Sequence, residues 1–420
     1  MLYHFKLLRT GEFFLYYFDE EVEKIEFNDF IEHQEITPLL QSYQWANVKQ
    51  NFKPYHVGAR KNGELFATAL ILVRKVTLGF QFAYIPRGPV YKSFEFDDVE
   101  FFINSIKEFV KKKGCFMLSL DPEIFHKRYM FADQETALPF QRGQMTLETY
   151  QKLGFIHKGY TFDFTDSFQP RLEAFIDLKP DVKKRYHRRL NQALRYTKRR
   201  QTFVEVGNDE DFVDRFIRLA EKTEERQNVS FRQKEYYQLL LDSYPGKCFI
   251  SIATINPAAS LKTFREEIKN RQIEIEKVKD KSPKKSFHLQ EQIDSYQSLI
   301  EEIEPLSGQT SIDIGGMLWV VYGNTMSLLY AGTDVEFTKY YPQHLIYDSL
   351  VSKALELQLK FVNLGGVIGN LDDGLTMFKL QFSPFIHEYI GELTYPITPV
   401  YHLYRLAWWL RSRYLRFKQR

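Results

Sequence analysis

Met377-Phe378-Lys379-Leu380-Gln381-Phe382 sets one lysine among aromatic and aliphatic neighbours, and Tyr389-Ile390-Gly391-Glu392 follows seven residues beyond Phe382. A cation in such a frame can stabilise negative charge as it develops on a reacting oxygen. Residue types alone mark a candidate site there and do not name a reaction. Two basic stretches could meet phosphate. Lys183 to Arg200 holds nine Lys or Arg and no acid. Such a run repels itself and favours a polyanion, either tRNA or a lipid pyrophosphate. Tyr401 to Arg420 holds six Lys or Arg and no acid. Leu403, Leu406, Ala407 and Leu410 fall on one helical face there, with Trp408 and Trp409 beside it. That pattern suits an anionic membrane interface, the packed side of a domain, or tRNA.

Other chemistries lack their residues. The ten histidines are scattered, without His-Glu-x-x-His or Cys-x-x-Cys spacing, so no metal is expected. No hydrolytic triad stands out. Cys115 and Cys248 are the only cysteines, which excludes a disulfide framework and fits a reducing compartment. The net charge of +3 over 420 residues leaves polyanion binding to local patches. The apolar run Phe13 to Phe18 is too short for a signal peptide, and no stretch reaches the roughly 18 apolar residues of a membrane span. A cytoplasmic protein is expected.

The elements that must position these residues read as α/β. Strands are expected at His56 to Arg60 and Glu64 to Val73, around the turn Lys61-Asn62-Gly63, and again at Gln81 to Ile85 and Cys115 to Leu120. Val99 to Lys112 has helical spacing. A second α/β unit starts after Gln169-Pro170-Arg171, with strands at Lys247 to Thr254, Met317 to Tyr322, Ser327 to Tyr330 and Phe361 to Leu364. Its helix spans Gln343 to Leu357. Between its strands lie Leu261, Phe264, Ile268, Ile275 and Val278, then Leu289, Ile293, Tyr296, Ile300 and Ile303. Steps of three and four on either side of Pro283 predict an antiparallel helical hairpin over 258–306. The expected division is 1–165, then 166–257 with 307–400 around the inserted arm 258–306, then the basic tail 401–420.

Several separated motifs resemble the FemABX family of aminoacyl-tRNA-dependent transferases, which build peptidoglycan interpeptide bridges. Beside the Phe-Lys and Tyr-Ile-Gly-Glu block these are Gln41-Ser42-Tyr43-Gln44-Trp45-Ala46-Asn47-Val48-Lys49, Tyr84-Ile85-Pro86-Arg87-Gly88-Pro89 and Gln169-Pro170-Arg171. Tyr330-Ala331-Gly332 and Asn363-Leu364-Gly365-Gly366 complete the family order. The resemblance runs from Leu39 to about Leu403 and is nearest to the MurM branch. It implies two GNAT-type acyltransferase domains, an inserted antiparallel coiled-coil arm and no cofactor. The pyrophosphate loop that grips coenzyme A is not evident, which fits an aminoacyl-tRNA donor.

The resemblance also implies roles, residue by residue. Lys379 takes the catalytic position, with Phe378 desolvating it. Lys49, one helical turn after Trp45, matches the lysine that meets the acceptor's phosphates. Arg232, Tyr236 and Tyr330 match residues lining the acceptor pocket, although Gln233-Lys234 departs from some members there. The acceptor is lipid II or the UDP-linked muramyl pentapeptide, and the transferred residue Ala or Ser. An enzyme using a lipid-linked acceptor is expected at the inner face of the membrane. Two other readings fit parts of the chain: a GNAT-type acyltransferase using a protein amine or another donor, and a non-enzymatic coiled-coil adaptor for RNA or membrane. The latter leaves Lys379, Arg232 and Tyr236 without a role.

Overall fold

The computed structural model describes residues 3–7, 13–76, 79–227 and 232–407. They form two compact units, one of 1–177, 322–327 and 363–420, the other of 178–321 and 328–362.

In the first unit one sheet runs in the order Tyr3–Leu7, Phe13–Asp19, Lys53–Lys61, Glu64–Lys75, Gln81–Ile85, Cys115–Leu120, Leu393–Pro396, Ile156–His157. Its long hairpin, Lys53–Lys61 with Glu64–Lys75, turns at Asn62-Gly63, both at positive φ. That conformation is why Asn-Gly marks such turns. The pair Gln81–Ile85 and Cys115–Leu120 is parallel, joined by the crossover helix Phe96–Lys112. That helix carries Asp97 and Asp98 in its first turn and Lys111 and Lys112 in its last, complementing its dipole. Its Val99, Phe102, Ile103, Ile106 and Val110 pack on Val57, Ala59, Ala69 and Ile71 of the sheet as the unit's core. A second ladder in this unit places Phe385–Tyr389 between Leu172–Asp177 and Phe125–Met130, antiparallel to both.

The second unit pairs Thr202–Gly207, Cys248–Ile255 and Ile312–Tyr322 antiparallel. Gly315 and Gly316 show how closely helices cover both faces. A Cβ on Gly315 would meet Pro342 of the helix Pro342–Glu356, and one on Gly316 would meet Phe216 and Leu219 of the helix Glu210–Gln227. Consecutive strand residues point to opposite faces, so this sheet is a middle layer between helices.

The hairpin expected at 258–306 is two helices, Pro257–Val278 and Pro283–Ile303, each with proline in its first turn. Arg265 bonds Glu304, Arg271 bonds Gln292 and Lys285 pairs with Glu274, so the helices run antiparallel. Leu261, Phe264, Leu289, Ile293, Tyr296 and Ile303 are buried as the spacing predicts, whereas Ile268, Ile275, Val278 and Ile300 are half-buried and Leu299 is buried instead of Ile300.

The units divide differently from the sequence expectation. The break falls after Asp177, not at 165, and 363–420 belong with the N-terminal unit. The physical reason is strand exchange along the chain: Leu393–Pro396 pairs with Cys115–Leu120. Helical residues 401–407 are described, and Trp408 onward lies outside the described residues. Tyr401 is buried with Phe82, Tyr84 and Phe116, while Leu403 and Leu406 are 69% and 55% exposed.

Candidate active site

Lys379 sits on the short helix Gly374–Leu380. Asp373 caps that helix by accepting from the backbone N–H of Leu375 and Thr376, at 2.9 and 3.1 Å. The cap is the Asp-x-x signature that starts a helix. One turn later the helix turns Lys379 inward, where it is 4% exposed. Its Nζ donates to the carbonyl of Gly366 at 2.7 Å. Burial lowers its pKa to about 8, with Glu173 and Asp373 pulling it back up. Phe378, half-buried, packs edge-on against Phe382 at 5.7 Å.

Glu173 is the hub of the surroundings. It accepts from Arg87 Nη2 at 2.6 Å, Asn363 Nδ2 at 3.1 Å and Tyr389 Oη at 3.3 Å. Those three donors come from the Tyr-Ile-Pro-Arg-Gly-Pro, Asn-Leu-Gly-Gly and Tyr-Ile-Gly-Glu motifs. The Gln-Pro-Arg motif joins through Pro170, whose carbonyl accepts from Arg87 at 2.7 Å. The first motif joins through Gln41, which donates to the carbonyl of Pro86 at 2.5 Å and accepts from Leu70 N–H at 2.9 Å. Five motifs spread over more than 300 residues thus meet around one carboxylate within the first unit.

Arg87 is 3% exposed and holds φ +53°. Its guanidinium lies 4.6 Å from the ring centre of Tyr389 and 3.8 Å from Glu123. Its N–H donates to Asp121 Oδ1 at 2.7 Å, and Tyr84 donates to Asp121 Oδ2 at the same distance. Burial pushes Asp121 up to about 7 and Glu123 upward as well, against the pull of Arg87. Arginine stays charged in any such site. Glu123 and Tyr389 line a cavity of about 240 Å³, with Ile36, Phe140 and Arg142 among its other walls. A second cavity of the first unit, about 480 Å³, is walled by Lys158, Phe168, Glu392, Tyr401 and Arg405. Glu392 is ion-paired to Lys158 at 3.2 Å, and burial raises its pKa.

Lys49 follows the single turn Trp45–Val48. Its Nζ stands 4.8 Å from the centre of the buried Trp45 ring.

In the second unit Arg232, Tyr236 and Tyr330 come together. Tyr330 donates to the hydroxyl of Tyr236 at 3.0 Å, with the rings edge-on at 5.8 Å. The exposed Arg232 places its guanidinium 5.4 Å from the Tyr236 ring. Tyr237 completes the cluster, 5.9 and 5.4 Å from the other two rings, and accepts at its hydroxyl from Arg232 N–H. Burial raises the phenol of Tyr236, and Tyr237 is pushed up to about 12. Both stay neutral donors at working pH.

Sequence reasoning missed Glu173, Asp121, Glu123 and Tyr237 as site residues, and quoted Arg87 without a role. A signal existed for two of them. Arg87 and Asp121 follow the carboxyl ends of the parallel strands Gln81–Ile85 and Cys115–Leu120, where α/β sheets open their crevices. Nothing in the local sequence marks Glu173. Among the described residues no His, Cys, Asp and Glu cluster could hold a metal, and no helix is long and apolar enough to cross a membrane.

Residues 22–408 match the model of the FemAB family. Aminoacyltransferase FemA of Staphylococcus aureus (strain NCTC 8325 / PS 47) is 25% identical over 401 residues, 90% of this chain and 94% of that protein. A crystal structure of FemX aligns with a TM-score of 0.72 at 24% identity, covering 91% of this chain and 98% of that one. A tandem GNAT protein from the clavulanic acid biosynthesis pathway aligns with a TM-score of 0.51 at 7% identity, over 91% and 99%. The two solved structures share the fold: tandem GNAT-type acyltransferase domains.

Proposed function

This chain belongs to the FemAB family and is an aminoacyltransferase, and from that premise we propose that it builds peptidoglycan interpeptide bridges. It moves an amino acid, alanine or serine, from aminoacyl-tRNA to the stem-peptide lysine of lipid II. The observation that carries the reading is the convergence of three motifs on Glu173 beside the buried Lys379, with two more motifs joined to them through Arg87 and Pro86. The choice of alanine or serine rests on the resemblance to the MurM branch.

The donor ester is already activated, so the enzyme needs no covalent intermediate. The lysine ε-amine attacks the ester carbonyl, the C–N bond forms, and the carbonyl oxygen becomes an oxyanion. The C–O bond to the tRNA ribose then breaks, the amine loses a proton, and the departing ribose oxygen takes up a proton to leave as a hydroxyl. Lys379 supplies the cation for the oxyanion. An ammonium has three N–H donors, and Gly366 takes one. In a water-excluded site such a donor is worth far more than in bulk solvent. Glu123, which lines the cavity beside Tyr389 and whose carboxyl pKa burial raises, is placed where a group receiving the amine's proton could stand. Arg232, Tyr236 and Tyr330 hold the acceptor through a cation and paired phenols, and Lys49 meets its phosphates. A lipid-linked acceptor brings the enzyme to the inner face of the membrane.

Purified protein incubated with labelled Ala-, Ser- and Gly-tRNA, each with lipid II and with the UDP-linked pentapeptide, tests the proposal. Mass spectrometry should find the acceptor heavier by one alanine or serine residue. No transfer from any aminoacyl-tRNA to either acceptor overturns the reading.

A further inference from the structure

The helix Arg188–Arg199 of the second unit is built with two unlike sides. Leu190, Ala193 and Thr197 are buried, on the side packed toward the helix Pro342–Glu356. Arg188, Arg189, Arg195, Lys198 and Arg199 are exposed. No acid occurs between Asp181 and Glu205 to balance them. Arg188 to Arg199 spans about 16 Å at the α-helical rise. Arg195 with Lys198 and Arg199 makes like-charge pairs at i,i+3 and i,i+4, which destabilise a helix. Arg188 and Arg189 stand in the first turn, where the helix dipole also opposes cations. The acid facing this region from the packed helix, Asp348, is paired with Lys183 at 2.7 Å, before the helix begins. The fold therefore holds a cationic face whose own electrostatics disfavour it.

We propose that this face binds the RNA backbone of the aminoacyl donor. The inference rests on the aminoacyl-tRNA reading above and names the surface that reading lacks. Three features favour RNA over a lipid surface. Among the described residues none of the large apolar side chains of 182–202 is exposed, whereas a membrane-lying helix needs an apolar face to insert. Between Arg189 and Arg195 stand Asn191 and Gln192, both exposed hydrogen-bonding groups. At the helix's end Tyr196 and Tyr341 stack at 5.8 Å and 12°, with the Arg200 guanidinium 4.8 Å from the first ring and 5.5 Å from the second. Arg200 is buried there, and the half-buried tyrosine rings supply aromatic faces of the kind on which nucleic acid bases stack.

The test uses the full chain and the triple variant Arg188→Gln/Arg195→Gln/Arg199→Gln. A control, Lys111→Gln/Lys112→Gln/Lys152→Gln, removes the same charge from exposed positions of the first unit. Binding of deacylated tRNA is measured by anisotropy across a salt series, and binding to anionic vesicles by sedimentation. Each lost phosphate contact reduces the log–log salt slope by about 1, so the slope of the triple variant should fall by about 3. Its tRNA affinity should drop at least about 10-fold at low salt. The acceptor KM should stay as in wild type, and the control should bind tRNA like wild type. Equal tRNA affinity and slope in wild type and triple variant, with transfer intact, overturn this proposal alone. Loss of vesicle binding with tRNA binding unchanged overturns it in favour of a lipid surface. Wild-type protein that neither binds tRNA nor transfers from it overturns the donor reading itself.

Discussion

Replacing Lys379 with methionine should separate catalysis from stability. Methionine keeps the unbranched apolar stem and removes the charge. The wild-type ammonium is buried, and its pKa falls from the ordinary 10.5 to about 8. At about 1.36 kcal/mol per pH unit, holding the proton at neutral pH costs the fold about 3 kcal/mol. The variant loses the bond to the Gly366 carbonyl, and a hydrogen bond made by a charged group is worth about 1.5–3 kcal/mol. The two nearly cancel, so at pH 7 urea melts should place Lys379→Met within about 1.5 kcal/mol of wild type. The sign against pH is defined. Between about 8 and 10.5 the unfolded chain binds the proton that the folded chain has released, so this group makes wild-type stability rise with pH there. Lys379→Met should lack that component. Turnover behaves otherwise, because removing a donor to a developing oxyanion costs about 100- to 1000-fold. The wild-type rate should also stop rising above about pH 8, where Lys379 loses its proton although the acceptor amine is still gaining reactivity. Near-wild-type turnover in the methionine variant, measured with any acceptor, would refute the role of Lys379. A pH-dependence of stability unchanged from wild type would refute the burial argument.

Glu173→Gln should be costly to the fold itself, because it leaves Arg87 buried beside fewer charges. Breaking a buried pair typically costs about 3–5 kcal/mol. The double variant Arg87→Met/Glu173→Gln should regain part of that in a urea titration, and failure to regain any would show that the pair is not the cause. Tyr236→Phe removes the acceptor of the Tyr330 hydroxyl at about 1 kcal/mol. It should raise the acceptor KM several-fold without changing the KM for aminoacyl-tRNA; equal effects on both would remove Tyr236 from the acceptor site. Deleting 266–300 and bridging with a Gly/Ser linker should leave a cooperative thermal transition, since the cross-pairs of that segment are within the hairpin. The cut spares Ser260, which donates to the Arg200 carbonyl, and Glu302, paired with Lys339. An unfolded product would show that the arm supports the second unit.

The strands and long helices were legible because their signals are local. Asn62-Gly63 announced its turn, and the all-apolar run Cys115 to Leu120 announced a buried strand. The arm was legible from its spacing and from Pro283. The chain's return to its first unit was not. Leu393–Pro396 is four residues long, and its partner lies some 270 residues earlier. Pairing over that distance depends on the whole fold and leaves no local pattern. The same contrast holds in the site. Lys379, Tyr236 and Tyr330 were singled out as candidates through family motifs. Glu173 lies in Leu172-Glu173-Ala174-Phe175, which reads as an ordinary strand with one polar residue. Only the fold shows that this residue faces inward, toward donors from three other segments. A basic run, by contrast, is visible in sequence, while which of its cations remain exposed is not. Lys183 is tied to Asp348 and Arg200 is buried on two tyrosines.

The charge balance of the buried cluster explains its titration. Asp121, Glu123 and Glu173 face Arg87, and Glu173 also acts on Lys379. One arginine serves all three carboxylates: its N–H goes to Asp121, one Nη2 bond to Glu173, and its Nε only approaches Glu123 at 3.8 Å. Glu173 receives the strongest bonds and is the partner that pulls Lys379 back toward protonation. Asp121 and Glu123 share what remains, and desolvation outweighs Arg87 at both. Charges this close in a low-dielectric site titrate as a set and not singly. The site thereby keeps a buried lysine whose pKa is lowered and buried carboxyls whose pKa values are raised. Amide formation from an activated ester needs a fixed positive charge at the oxyanion and a group able to accept a proton.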